Sequence, residues 1–136
     1  MNILYNLLSK WVKKHVIIDP LHKNIHCKIA QNFNTSPETL NYLSKDKDWY
    51  VRYEVAQNSN TSSETLDYLS KDKKCWIRRE VAMNPNTSSE TLKQMSIDEE
   101  NYWLKYHIKN HPNCPLETYK YLSALELLKT LPKVST

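Results

Sequence analysis

The sequence repeats itself, and an internal repeat constrains a fold more tightly than any other single feature. From Asp48 the chain reads DWYVRYEVAQNSNTSSETLDYLSKD, and from Lys74 it reads KCWIRREVAMNPNTSSETLKQMSID. His22 opens an earlier copy, HKNIHCKIAQNFNTSPETLNYLSKD, and Asn101 a later one, NYWLKYHIKNHPNCPLETYKYLS. Thr35, Thr61 and Thr87 stand 26 residues apart, and one extra residue near positions 99–101 precedes the last copy. A unit this short cannot bury its own apolar side, so it folds only by stacking on neighbours.

Each unit divides at an Asn-x-Asn-Thr turn. Before the turn, a first helix is expected over about residues 48–57, and after it a second over about 62–70. Thr61 and Glu64, three apart ahead of an apolar pair, have the form of a capping box, repeated at Thr35/Glu38 and Thr87/Glu90. The fourth unit has Cys114 in place of the threonine, so its cap must come from elsewhere. Pro37 and Pro115 fall where a first helical turn tolerates a missing N–H. The paired asparagines (Asn32/Asn34, Asn58/Asn60, Asn84/Asn86) suit positive φ and local backbone hydrogen bonds, a structural ladder rather than a ligand site. The chain contains no glycine at all. No P-loop or dinucleotide-binding turn can be built from it, and tight hairpins lose their favoured residue. The expected fold is all-α, a right-handed α-solenoid with capping helices at both ends. Its expected limits are a capping helix at 1–21, four repeats (22–47, 48–73, 74–100, 101–123) and a C-terminal cap or tail at 124–136.

The first 18 residues place Ile3, Leu4, Leu7, Leu8, Trp11 and Val12 at helical spacing, with Lys10, Lys13 and Lys14 opposite. The positive charges follow the apolar run, the reverse of a signal peptide. A membrane-surface helix would share this pattern, but a cap over the open end of a repeat stack is the expected role.

On a helical wheel at about 100° per residue, Val51, Val55 and Ala56 share one arc, as do Ile77, Val81 and Ala82. Arg52 lies inside that arc and needs a partner. Asp46 is the expected one, with Asp72/Arg78 and Asp98/Lys105 in register. The expected role of this basic row is an internal ladder, not a phosphate stripe. The opposite arc holds Tyr50, Tyr53 and Glu54, then Trp76, Arg79 and Glu80, then Trp103, Tyr106 and His107. Tyr42 and Tyr68 project from the second helices, with Tyr121 in register and Gln94 breaking the row. Exposed aromatics with arginine mark protein interfaces. For the tryptophans, sideways packing between stacked helices is the favoured expectation; for Tyr42 and Tyr68, exposure.

Other constellations are weaker. His107, His111 and Cys114 have metal-like spacing, but Pro112 ends the helix and no other unit has the set, so no metal and no cofactor are expected. Cys75 beside Lys74 has no base tied to it. Lys71, Lys73, Lys74, Arg78 and Arg79 cluster at one corner and form the best nucleic-acid candidate. The formal charge of +4 permits an anionic partner without demanding one. Three scattered cysteines make no disulfide framework and point to a reducing compartment, the cytoplasm. No run of about 18 apolar residues would span a membrane.

The frame V-R-x-x-V-A-x-N-x-x-T, within DKDWYVRYEVAQNSNTSSE from Asp46 to Glu64 and followed by Leu66 and Leu69, resembles the leucine-rich repeat variant family, which has relatives among HEAT-like helical repeats. The resemblance covers residues 22–123. It implies a right-handed superhelix of short helical segments. Some members of that family carry an iron–sulfur cluster on cysteines ahead of the repeats; here no cysteine precedes Cys27 and there is no CxxC, so the cluster is not carried over. The family pattern usually has a polar residue where Tyr42 and Tyr68 stand, which marks those tyrosines as contacts. It supplies no activity. With no nucleophile–base arrangement in the sequence, the expectation is a non-catalytic protein-binding adaptor or inhibitor docking along Tyr50, Tyr53, Trp76, Arg79, Trp103 and Tyr106, with Tyr42 and Tyr68. The alternative is nucleic-acid binding through the basic corner. Neither a membrane nor a small-molecule substrate is expected as a partner.

Overall fold

The computed structural model describes residues 20–98 and 101–130. Among these there are eight α-helices and no strand: α1 Pro20–Gln31, α2 Pro37–Leu43, α3 Trp49–Gln57, α4 Ser63–Leu69, α5 Cys75–Met83, α6 Ser89–Asp98, α7 Tyr102–Lys109 and α8 Leu116–Thr130. The protein is all-α. The expected N-terminal capping helix at 1–21 lies outside the described residues apart from positions 20 and 21, which begin α1. No separate C-terminal helix begins at 124, because α8 runs unbroken from Leu116 to Thr130.

Helices of seven to ten residues are too short to persist alone in water, so packing must hold them. The first helices of successive units touch in order, α1 on α3, α3 on α5, α5 on α7, and each of α2, α4 and α6 packs on the first helix that follows it. One column of side chains fills the seam. Val51, Val55, Ala56, Ile77, Val81 and Ala82 are fully buried, joined by Leu40, Leu66, Leu69, Leu92 and Ile108.

The turns are stitched across units. Asn58 Nδ2 donates to the carbonyls of Ala30 and Asn32 at 2.7 and 2.9 Å. One unit on, Asn84 Nδ2 donates to Ala56 and Asn58 at 2.7 and 3.0 Å. Each of these side-chain oxygens also accepts the N–H two residues later, at Asn60 and Asn86. This is the structural ladder expected from the asparagines, with one correction. Asn58 and Asn84 have φ of −69° and −74°, so the ladder needs no positive φ there.

The capping box is also corrected. Thr61 does not cap α4. It is buried, and its hydroxyl reaches back to the Val55 carbonyl at 2.6 Å; Thr35 and Thr87 do the same to Ile29 and Val81. The cap is the next residue: Ser36, Ser62 and Ser88 each accept the N–H three positions on, from Thr39, Thr65 and Thr91. Backbone N–H groups and the cap serine hold the Glu38 and Glu64 carboxyls below their ordinary pKa. Pro37 is the first residue of α2, whereas Pro115 stands just before α8.

Candidate functional site

The basic row is a ladder, but its carboxylate lies on the other side from the one expected. Arg52 Nε donates to Asp72 Oδ2 at 2.7 Å, while Nη1 donates to the backbone carbonyl of Asp46 at 2.8 Å. The guanidinium thus bridges the end of its own unit and the end of the unit before. The Asp46 side chain is 2.6 Å from His26 Nδ1 instead, and Arg78 Nη1 repeats the backbone half of the bridge to Asp72 at 2.8 Å. Burial pushes the Asp72 carboxyl up, but the Arg52 hydrogen bond and the Lys74 N–H outweigh it and leave it below its ordinary pKa. The Asp98 side chain of the expected Asp98/Lys105 pair is not among those described.

The aromatic arc of the first helices faces outward. Trp76 is 54% exposed and Trp103 67% exposed. They do not pack sideways between helices, which corrects the favoured expectation for them. Tyr50 and Tyr53 are half-buried and stack on each other at 5.9 Å between centroids, with Trp49 edge-on to both. Lys23 Nζ lies 5.7 Å from the Tyr50 ring, and the Arg79 guanidinium 5.3 Å from the Trp76 ring. Gln57 joins these clusters, since its Nε2 donates to Tyr53 Oη at 2.9 Å and to Glu80 at 3.1 Å. Farther along, Tyr102 and Trp103 pack edge to face at 5.7 Å, and Tyr106 does so with His107. The sequence reading missed Trp49 and Tyr102, both exposed. They stand one position before Tyr50 and Trp103, and Cys75 between them hid the row. Tyr42 and Tyr68 are exposed as expected but sit on α2 and α4, and no ring contact ties them to the first-helix cluster among the described residues.

Glu54 and Glu80, read as members of the outward arc, are buried at 7% and 4% exposure. Glu80 accepts from Arg79 Nη2 at 2.9 Å and from Gln57 Nε2 of the preceding unit at 3.1 Å. That hydrogen bond raises the Arg79 guanidinium pKa. The Glu54 carboxylate lies near Tyr50 instead and raises the phenol's pKa. Glu54 also lines a cleft of about 280 Å³ with Ala30, Gln31, Phe33, Gln57, Asn58 and Ser59.

The basic corner is divided. Lys71 pairs with Asp67 at 3.0 Å, Arg78 is turned to the Asp72 carbonyl, and Arg79 is held on Glu80 over the aromatic arc. Lys73 and Lys74 are exposed. The spacing of His107, His111 and Cys114 does not converge on a metal, and no group of three metal-ligating side chains occurs among the described residues. His111 takes the place of the ladder asparagine: Nδ1 accepts the Asn113 N–H at 3.0 Å, which leaves Nε2–H to donate to the Asn84 carbonyl at 2.9 Å. The three cysteines are free thiols; burial pushes those of Cys27 and Cys114 above the ordinary thiol pKa, away from nucleophile character. No described helix is long and apolar enough to cross a membrane.

Compared with protein-family models, curated proteins and solved structures, the chain finds no match in any of the three.

Proposed function

We propose that the protein is a non-catalytic binding module, an α-solenoid of four two-helix repeats that docks another protein along the aromatic and arginine face of its first helices. The leucine-rich repeat variant resemblance belongs to this proposal, supported by the register of the Asn58, Asn84 and His111 ladder. A cytoplasmic setting also belongs to it, supported by three unpaired thiols. The first helices pack on one another in succession, whereas the second helices pack mainly on first helices.

The exposure of Trp76 and Trp103 carries this reading. Two tryptophans and an arginine held on a packed scaffold are the residue types in which binding energy concentrates. Lys71, Arg78 and Arg79 are engaged by the protein's own oxygens, so the basic corner offers phosphate fewer free charges than its sequence implied. The test is capture of the partner from the native host by the whole chain, identified by mass spectrometry, followed by Trp76→Ala. Binding should weaken at least about tenfold, roughly 1.4 kcal/mol, while the melting temperature holds. Unchanged affinity withdraws the first-helix site and makes Tyr68→Ala the next variant. Affinity that falls steeply with salt, together with nuclease-sensitive capture, would replace the protein partner with a nucleic acid.

A further inference from the structure

Units two and three place the same residue, a glutamate, in the same buried column and treat it differently. Glu80 receives a guanidinium from Arg79 and an amide from Gln57 of the unit before. Its counterpart Glu54 is preceded by Tyr53 rather than arginine, and no ion pair reaches it among the described residues. The residue matching Gln57 in the first unit is Gln31, which is exposed and lines the cleft beside Glu54. Burying a carboxylate without a countercharge is costly. The third unit shows which countercharge this geometry accepts.

From this we infer that the cleft at Glu54 receives an arginine side chain from the protein partner. The inference rests on reading this face as a protein-docking surface. Glu54 accepts the guanidinium fork as Glu80 accepts that of Arg79. Gln57, Asn58 and Ser59 line the cleft with Phe33, whose exposed ring offers a face on which a guanidinium can stack. The partner therefore carries an arginine in addition to the residues that meet Trp76.

The experiment titrates the whole chain with Nα-acetyl-arginine N-methylamide and, separately, with the matching citrulline compound, a neutral isostere. Amide NMR signals of Gln57, Asn58 and Ser59 are followed. The arginine probe should shift them saturably and the citrulline probe at least about tenfold more weakly. Tyr53→Arg supplies the missing guanidinium from the chain itself, copying the third unit, and should abolish the response. Glu54→Gln should do the same. Equal response to both probes, no saturable response to arginine, or an undiminished response in Tyr53→Arg overturns the inference. If Glu54→Gln does not fold, the two probes on the unaltered chain still decide. Loss of partner binding in Trp76→Ala is a separate result, so failure of this site and failure of the docking face are distinguishable.

Discussion

The interior and the last unit follow one plan and differ where the interior must be held from both sides. Units two and three have alanine at positions 56 and 82, threonine at 61 and 87, and asparagine at 58 and 84. The fourth unit replaces these with Lys109, Cys114 and His111. Cys114 gives up the threonine's bond to its own first helix and turns to the Pro115 carbonyl, whereas the bonds back to the third unit are kept. His111 and Asn113 still donate to Asn84, Pro85 and Thr87. Lys109, where a small residue lets two interior helices touch, pairs with Glu126 of α8 at 2.6 Å and lies over the Tyr119 ring. Ile25 and Ile29 occupy the core column yet are 47% and 37% exposed. A repeat chain thus shows which positions make the stack by where they change at its boundary.

Asn84→Ala is expected to have the largest effect. It strips partners from the Ala56 and Asn58 carbonyls and the Asn86 N–H, all around a buried side chain. At about 1 kcal/mol for each of the three lost hydrogen bonds, the loss should be about 3 kcal/mol, read by urea unfolding. His111→Asn, which restores the interior residue, should cost less than about 1 kcal/mol. A reversal of that order would break the equivalence of the two positions.

Arg52→Ala should rank next, at about 2–3 kcal/mol, because it leaves the Asp72 carboxylate and the Asp46 carbonyl without their shared donor. An unchanged melting temperature would mean that the Arg52–Asp72 pair contributes little to the stack.

The acid limb of stability follows from the same pair. The folded pKa of Asp72 is depressed, as are those of Asp48, where burial acts upward but Lys23 and the Tyr50 N–H prevail, and of Glu38 and Glu64. A depressed carboxyl contributes stability that is present above its unfolded pKa, about 4, and lost as pH falls through the folded value. Unfolding free energy should therefore hold near neutrality and fall below about pH 4. Asp72→Asn, less stable at neutral pH, should lose less on acidification; parallel acid limbs for the two proteins would contradict this.

The period, the all-helical class, the limits of the first helices and the buried column were legible in the sequence, since each is a property of one helix or of register. What escaped depends on the neighbouring unit. A wheel places Glu80 beside Arg79 on an outward arc and cannot show that α3 covers it, with Gln57 reaching across. Asp46 and Asp72 are one column in two units, so spacing alone does not say in which direction Arg52 pairs. Thr61 and Ser62 are adjacent hydroxyls, and only the backbone decides which one caps and which one is buried under the preceding helix.

Lys109→Ala should have the smallest effect, and it tests the boundary itself. The substitution restores the interior residue in the last unit. It removes an ion pair whose Glu126 side is 38% exposed and a cation–π contact to Tyr119. Exposed pairs of this kind are screened by water and salt and contribute little. The long α8 keeps its other anchors, since Thr118 and Leu122 are buried and Leu125 packs on the core. The melting temperature should hardly move, and the helical content should stay constant by circular dichroism. If Lys109→Ala instead destabilised the chain as much as Asn84→Ala, α8 would be held mainly by that lysine. The last unit would then be an element stabilised by charge rather than the fourth member of a stack stitched through its turns.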